Sequence, residues 1–470
     1  MTGAPGEAGH AAVERAVRDL AAWAAELRVD DVPAEVRDEV RDRLSLVLYD
    51  TLGVTAVGAR LPEQVALART WAPPPGPAPV IGGGLRTTPD AAAWLNAVAA
   101  CSLELDEGNK YARGHPAGHG FPAVLAMAAA GRADGPTTCA ALLAAYEVAS
   151  RFGRATTPRS GLHPHGNWGV AGAAAGVARL LGLGPDRTAA AIDAAAGLPV
   201  AGHFDSALSG NPVRNAWMAA SNVHGIAAAR MAAAGVARAT GTAASTLGDL
   251  LGSFAPSELV ERLGDRYDVR AGYFKRHASC SYTHPPVNAV LELKRSHPDL
   301  SPGRITAVEV ETHSLGAGLT RTVWPSRLAA MFSTPYVVAA AIAQPAADPL
   351  APGGGLGPDA TSQEARTDPD VAALADRVRV RVADDLDRRL PDERAARVTV
   401  ALDDGRRLVA TVPNPVGDAA YRPFGWADVE AKLAGLLGED DPVHARIRGA
   451  VRGLPDATDV TPLLQPLGDP

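Results

Sequence analysis

Through the first 268 residues the apolar side chains recur at three- and four-residue steps, and beyond that point several runs alternate residue by residue. Apolar positions repeat every 3.6 residues on a helix face and every two on a strand. The chain must therefore build a helical body first and a sheet-containing unit second. Val13, Val17, Leu20, Ala24 and Leu27 carry the helical step, as do Val36, Val40, Leu44 and Leu48. Between them, Asp30-Asp31 with Pro33 is a helix start signal. The same texture predicts helices over about 88–103, 121–131, 136–152, 168–182, 186–197 and 215–234, with Gly182, Gly184 and Pro185-Asp186 marking one join. Ala and Gly on so many faces imply closely approaching helix axes.

After 268, Ile305–Thr312 and Val378–Val382 alternate, and Val398–Leu402 and Leu408–Val412 flank Asp403-Asp404-Gly405, a hairpin signal. A helical pattern lies around 328–343, and a Gly/Pro-rich loop runs from Pro345 to Asp370, with low complexity at 345–360. These elements predict a small α+β domain over about 269–414. Helices over 426–436 and 441–452 then return to the earlier style.

At 470 residues the chain is long for one core, so two domains are expected. A net charge of −7 and a pI near 6.0 argue against a nucleic-acid partner, which calls for a basic face. The longest apolar stretches, Ala123–Ala130 and Val170–Leu183, are Ala/Gly-rich and interrupted, which argues against a membrane span. Met1 to Glu14 lacks the pattern of a secretion signal. Cys101, Cys139 and Cys280 are far apart and form no CxxC pair, which excludes a disulfide framework and a Cys-rich metal site. A cytoplasmic location is expected. Of 45 cationic residues only Lys110, Lys275, Lys294 and Lys432 are lysine, and lysine, unlike arginine, can be tuned to titrate near neutrality.

Four polar clusters interrupt the apolar texture. Glu104, Asp106, Glu107, Lys110, His115 and His119 fall within sixteen residues. A lone acidic run is ordinarily a solvated loop, but acids, imidazoles and an amine in one Gly-broken loop also supply what proton transfer needs. His163-Pro164-His165-Gly166-Asn167 precedes an Ala/Gly-rich helix whose free N–H groups suit an anion. No accompanying ligand spacing supports a metal there. Arg214 opens another helix, either as a surface charge or as a carboxylate clamp. Lys275, His277, Cys280, Tyr282 and His284 sit where helices give way to strands, and domain junctions favour ligand clefts. Cys280 reads as a small packing residue. Phosphate-binding glycine loops and a G-x-S-x-G elbow are absent, which places nucleotide-dependent and serine-hydrolase chemistries low.

In order and spacing these clusters resemble the MmgE/PrpD family. The resemblance runs from Tyr49-Asp50-Thr51-Leu52-Gly53-Val54 through Leu95-Asn96-Ala97, Glu104 to Pro116, His163 to Gly169 and Leu180 to Leu183. It continues through Lys275 to Pro285 and Phe332-Ser333-Thr334-Pro335-Tyr336 to the Gly417-Asp418 turn. It implies a mainly α fold: a large all-α domain built from both chain ends (1–268 and 415–470), an α+β lid (269–414) inserted between them, and a homodimer. It also implies activity on a small carboxylate substrate without metal or organic cofactor. Catalytic roles then fall on Glu104, Asp106, His115, His163 and Lys275, and substrate binding on Lys110, His165, Arg214, His277, Tyr282 and His284.

Departures from the family pattern touch the same pocket. Glu104 stands where family lyases often have Asp, Gly108 replaces a common Thr, Arg214 replaces a lysine, and His277 replaces an aromatic. The leading expectation is a lyase that abstracts a proton α to a carboxylate and expels water or another β group. His115 or the Glu104/Asp106 pair would be the base, and Lys275, Arg214 and His163 a cationic shell. An epimerase or isomerase, a decarboxylase, and a non-catalytic carboxylate-binding protein are the alternatives.

Overall fold

The computed structural model describes residues 7–344 and 355–469, and within those limits the chain is mainly α-helical. Residues 1–6 of the N-terminal stretch and 345–354 of the Pro/Gly-rich loop lie outside the described residues. The helices fall where the apolar period placed them: Glu7–Glu26, Ala34–Ala59, Pro89–Cys101, Pro116–Gly131, Gly135–Ala155, Val170–Leu180, Pro185–Ala196 and Val213–Ala233. Pro116 occupies the first turn of its helix, where a missing N–H is harmless, so that helix begins five residues earlier than its apolar run.

Three features differ from the sequence reading. The single helix expected over 328–343 is two, Arg327–Met331 and Thr334–Ala343. The break is chemical: the Ser333 side chain accepts from the Tyr336 N–H and caps the second helix, with Pro335 in its first turn. The described part of the loop expected up to 370 carries short helices, Gln363–Arg366 and the start of Pro369–Ala375. Helix His284–Ser296 was hidden by its Pro285-Pro286 start.

Strands Ile305–Thr312 and Val378–Val382 have the expected bounds. They join Ala396–Leu402 and Arg407–Val412 in one sheet, ordered 407–412, 396–402, 305–312, 378–382, with only the last pair parallel. One core packs this sheet against helices His284–Ser296 and Thr334–Ala343 through Val287, Val308, Val338 and Val400. Another joins the two chain ends, bringing Val17, Leu20 and Leu44 together with Leu433, Ile447 and Leu464. A third, Ala92, Ala123, Ala173 and Ala228 among its members, is built almost wholly of small residues, which lets helix axes approach. No single helix among the described residues is long and apolar enough to cross a membrane.

Candidate active site

The acidic loop follows directly from the end of helix Pro89–Cys101, and at Glu104 the backbone turns left-handed, with φ +51°. A side chain with a Cβ pays of order 1–3 kcal/mol for such a conformation, and the surroundings have to hold it there. They do so through charge. One Glu104 carboxylate oxygen pairs with the Arg214 guanidinium, and the other lies 3.1 Å from Lys275 Nζ. Lys275 also reaches Asp106 Oδ1 at 3.4 Å, and Asp106 Oδ2 lies 3.1 Å from His115 Nδ1. The same nitrogen is 2.6 Å from the Glu107 carbonyl oxygen. Arg214, Glu104, Lys275, Asp106 and His115 thus form one continuous buried chain of charged and polar contacts.

Both partners of His115 Nδ1 are acceptors, so Nδ1 carries the proton and the neutral ring keeps its lone pair on Nε2. Burial holds this imidazole below its ordinary range, against the opposing pull of Asp106. Burial would likewise raise the Glu104 carboxyl, but Arg214 and Lys275 outweigh it and bring the group down to about 2. For Lys275 burial favours the neutral amine, and the Glu104 and Asp106 carboxylates reverse that and keep the ammonium. Glu107 faces elsewhere. It accepts from the Tyr146 hydroxyl at 2.6 Å, and burial pushes its carboxyl up to about 8.

His115 and Glu104 open onto a narrow cavity of ≈ 40 Å³, whose walls come from both parts of the chain. His163, His165 and Arg214 complete the helical side, and Tyr273, Cys280, Tyr282, Phe332 and Arg394 face them. His163 Nδ1 accepts the His165 N–H at 3.0 Å, which requires a free lone pair. Burial and Arg214 hold His163 well below 6.5, so it is neutral and does not belong to the cationic shell expected from sequence. Burial pushes the Cys280 thiol up to about 11, consistent with a packing residue.

Of the residues singled out from sequence, Glu104, His115, His163, His165, Arg214 and Tyr282 line the cavity, while Asp106 and Lys275 stand directly behind. Three lie elsewhere. Lys110 Nζ is held by Asp418 Oδ1 at 3.0 Å and by the Asp392 carbonyl at 2.7 Å. His277 bonds Asn288 Nδ2 and accepts the Leu356 N–H, and His284 bonds the Ser279 carbonyl. These side chains fix the junction instead of facing the cavity.

Arg394 was missed. It is 4% exposed, its guanidinium donates to Ser281 Oγ and the Lys110 carbonyl, and it sits over the Tyr282 and Tyr273 rings. No carboxylate pairs with it among the described residues, an unusual state for a buried cation. In the sequence it is one charge among many in a run from Asp384 to Arg397, with nothing to set it apart. The Gly108 departure also gains a reason. Gly108 pairs with Tyr273 in a short ladder, and a Cβ there would collide with the Tyr273 hydroxyl. A larger cavity of ≈ 800 Å³ near Arg28, Cys139 and Arg179 contains none of these residues. Among the described residues no group of three or more His, Cys, Asp or Glu side chains is arranged to hold a metal ion.

A cis-aconitate decarboxylase of Aspergillus terreus is 26% identical over 483 residues, covering 96% of each chain. A cis-aconitate decarboxylase-like protein, oryM, of Aspergillus oryzae is 28% identical over 307 residues, 60% of this chain and 62% of its own length. Residues 18–248 match the MmgE/PrpD N-terminal domain and residues 277–448 the MmgE/PrpD C-terminal domain. The chain belongs to the MmgE/PrpD family.

Proposed function

We propose that the protein is a lyase of small polycarboxylates that works by proton transfer at the carbon next to a carboxylate, with His115 as the base. The observation that carries this is the seating of His115: Nδ1 bonds the Glu107 carbonyl with the Asp106 carboxylate beside it, which leaves the neutral ring on the cavity wall with its lone pair on Nε2. Arg394, buried and without a counter-carboxylate among the described residues, is the natural partner of one substrate carboxylate, and Arg214 of another. As His115 Nε2 takes the α-proton, the C–H electron pair becomes the new C=C bond and the β C–O bond breaks. The leaving hydroxide takes the proton back from the imidazolium and departs as water. Asp106 supports the imidazolium while it exists, and Lys275 keeps Asp106 and Glu104 in register.

Decarboxylation is the second reading, favoured by the names of the Aspergillus relatives. In both readings the α+β unit over 269–414 acts as a lid carrying Arg394, and cofactor independence and a homodimer follow from kinship with the family. The test is product analysis by NMR in deuterated buffer on a panel of di- and tricarboxylates and amino-dicarboxylates. An alkene with release of water supports the first reading, and release of CO2 the second. Deuterium entering unchanged substrate would mark an epimerase, and a panel wholly inert to exchange and turnover would sink all of these.

A further inference from the structure

The Tyr49–Val54 motif is used by nothing described so far. It lies in helix Ala34–Ala59 and faces helix Trp426–Leu437, which returns from the other end of the chain. The helices meet closely there, since a Cβ on Gly53 would collide with the Leu433 side chain. The Tyr49 hydroxyl donates to Glu430 Oε2 at 2.5 Å and lies 2.7 Å from His444 Nε2. Next to it, Lys432 Nζ sits 2.6 Å from Asp50 Oδ1 and donates to the Leu105 carbonyl at 2.8 Å. Asp50 is fully buried, and only 7% of the Lys432 side chain is exposed.

A buried ion pair is a poor source of stability, because a well-packed apolar pair of similar size is often as good or better. Burial here pushes the Asp50 carboxyl up and the Lys432 ammonium down, so both charges are kept at a cost. What an apolar pair cannot do is hold a carbonyl. Leu105 is the residue between Glu104 and Asp106, directly after the left-handed turn. We infer that Lys432, balanced by Asp50, is a positioning residue: it fixes the Leu105 carbonyl and so sets how Glu104 and Asp106 are presented to Lys275 and His115. This inference rests on the reading of that loop as the acid–base machinery.

The test uses the full chain and three variants: Lys432→Met, Lys432→Arg, and the double Asp50→Leu/Lys432→Met, which removes both charges so that folding does not depend on an unpaired carboxylate. Steady-state kinetics on the substrate found by the panel are paired with amide hydrogen exchange of the peptide covering 103–110 and with the thermal midpoint. The double variant is expected to keep a wild-type midpoint and KM, lose roughly 10²-fold in kcat, and exchange faster in 103–110. Lys432→Arg, which can still reach the carbonyl, should recover most of the rate and the protection. A folded double variant with wild-type kcat overturns the inference, as does a loss carried by KM. If the wild type turns over nothing in the panel, the proposed function falls, and unchanged exchange in 103–110 would still overturn the positioning role by itself.

Discussion

Asp106→Asn isolates the contact on which the proposed base depends. The amide has nearly the same shape but one carbonyl oxygen in place of two carboxylate oxygens, so His115 Nδ1 at 3.1 Å and Lys275 Nζ at 3.4 Å must compete for it. Lost with the charge is support for the imidazolium that forms as the proton is taken. That contact is an ion-pair approach and not a hydrogen bond in the resting fold; if the imidazolium closes it to one, the worth is about 1.5–3 kcal/mol, so kcat should fall roughly 10- to 150-fold. The pH profile moves as well, and its sign is fixed. Burial holds His115 below its ordinary value and Asp106 opposes that, so the neutral base is available below the usual histidine range. Without the Asp106 charge nothing there favours the protonated ring as strongly, so the acid limb of kcat/KM, which reports the free enzyme, shifts further down while the plateau drops. Initial rates across about pH 5–8 would show both. A plateau within about twofold of wild type, well short of that contribution, or an acid limb that moves upward, would refute the assignment of Asp106 as the partner of the base.

His115→Ala should cost about 10²–10⁴-fold in kcat with an unchanged thermal midpoint. His119→Ala should do the reverse, because its ring bonds Ser221 Oγ and packs on Trp168; its loss is one of stability, about 1–3 kcal/mol, read as a lower midpoint. Arg394→Gln should raise KM roughly 10- to 150-fold through loss of a charged carboxylate contact with little change in kcat, and an unchanged KM would remove Arg394 from the binding site. Lys275→Met should abolish most turnover. Lys294→Met should not, since Lys294 only caps the end of helix Thr334–Ala343 through the Ala341 and Ile342 carbonyls, and equal rates would show that neither lysine matters. Glu107, neutral up to about 8 in the fold and ionising near 4.3 when unfolded, costs stability as pH rises between those values; Glu107→Gln should flatten that slope in thermal melts from about pH 5 to 8.

Local periodicity is a property of contiguous residues, and it carried most of the fold. Ile305–Thr312 and Val378–Val382 were readable to the residue because their valines alternate with polar residues, although burial follows that alternation only in part: Val308, Val310 and Val378 are buried and Val382 is exposed. The break at Phe332-Ser333 was passed over, because both flanking runs are apolar and only the Ser333 cap and Pro335 divide them. Within the site, Glu104, Asp106 and His115 were legible as a mixture of proton-transfer groups in one short loop. Arg394 was not, because a burial that depends on Tyr273 and Tyr282 more than a hundred positions away leaves no mark in its neighbours. Lys110, His277 and His284 show the converse: the right residue types in the right cluster, but turned to hold loops together. Lys432 belongs to none of the four polar clusters in the sequence, and its reach to Leu105 appears only once the two chain ends are packed.

That packing has a consequence for how the protein is made. The core that begins with Val13 is finished by residues from Val416 to Leu467, and about 140 residues separate Phe274 from Val416. At roughly 5–20 residues per second, a ribosome needs on the order of ten seconds to cross that interval. During that time helix Ala34–Ala59 has emerged, but Leu433, Ile447 and Leu464 have not yet arrived to cover it. The nascent helical half waits with apolar surface open to water, and the sheet unit has every residue it needs to fold first. Chaperone dependence should accordingly fall on the earlier-synthesised half, and a stop codon shortly before Trp426 should leave a chain whose sheet unit is sound and whose oldest helices aggregate.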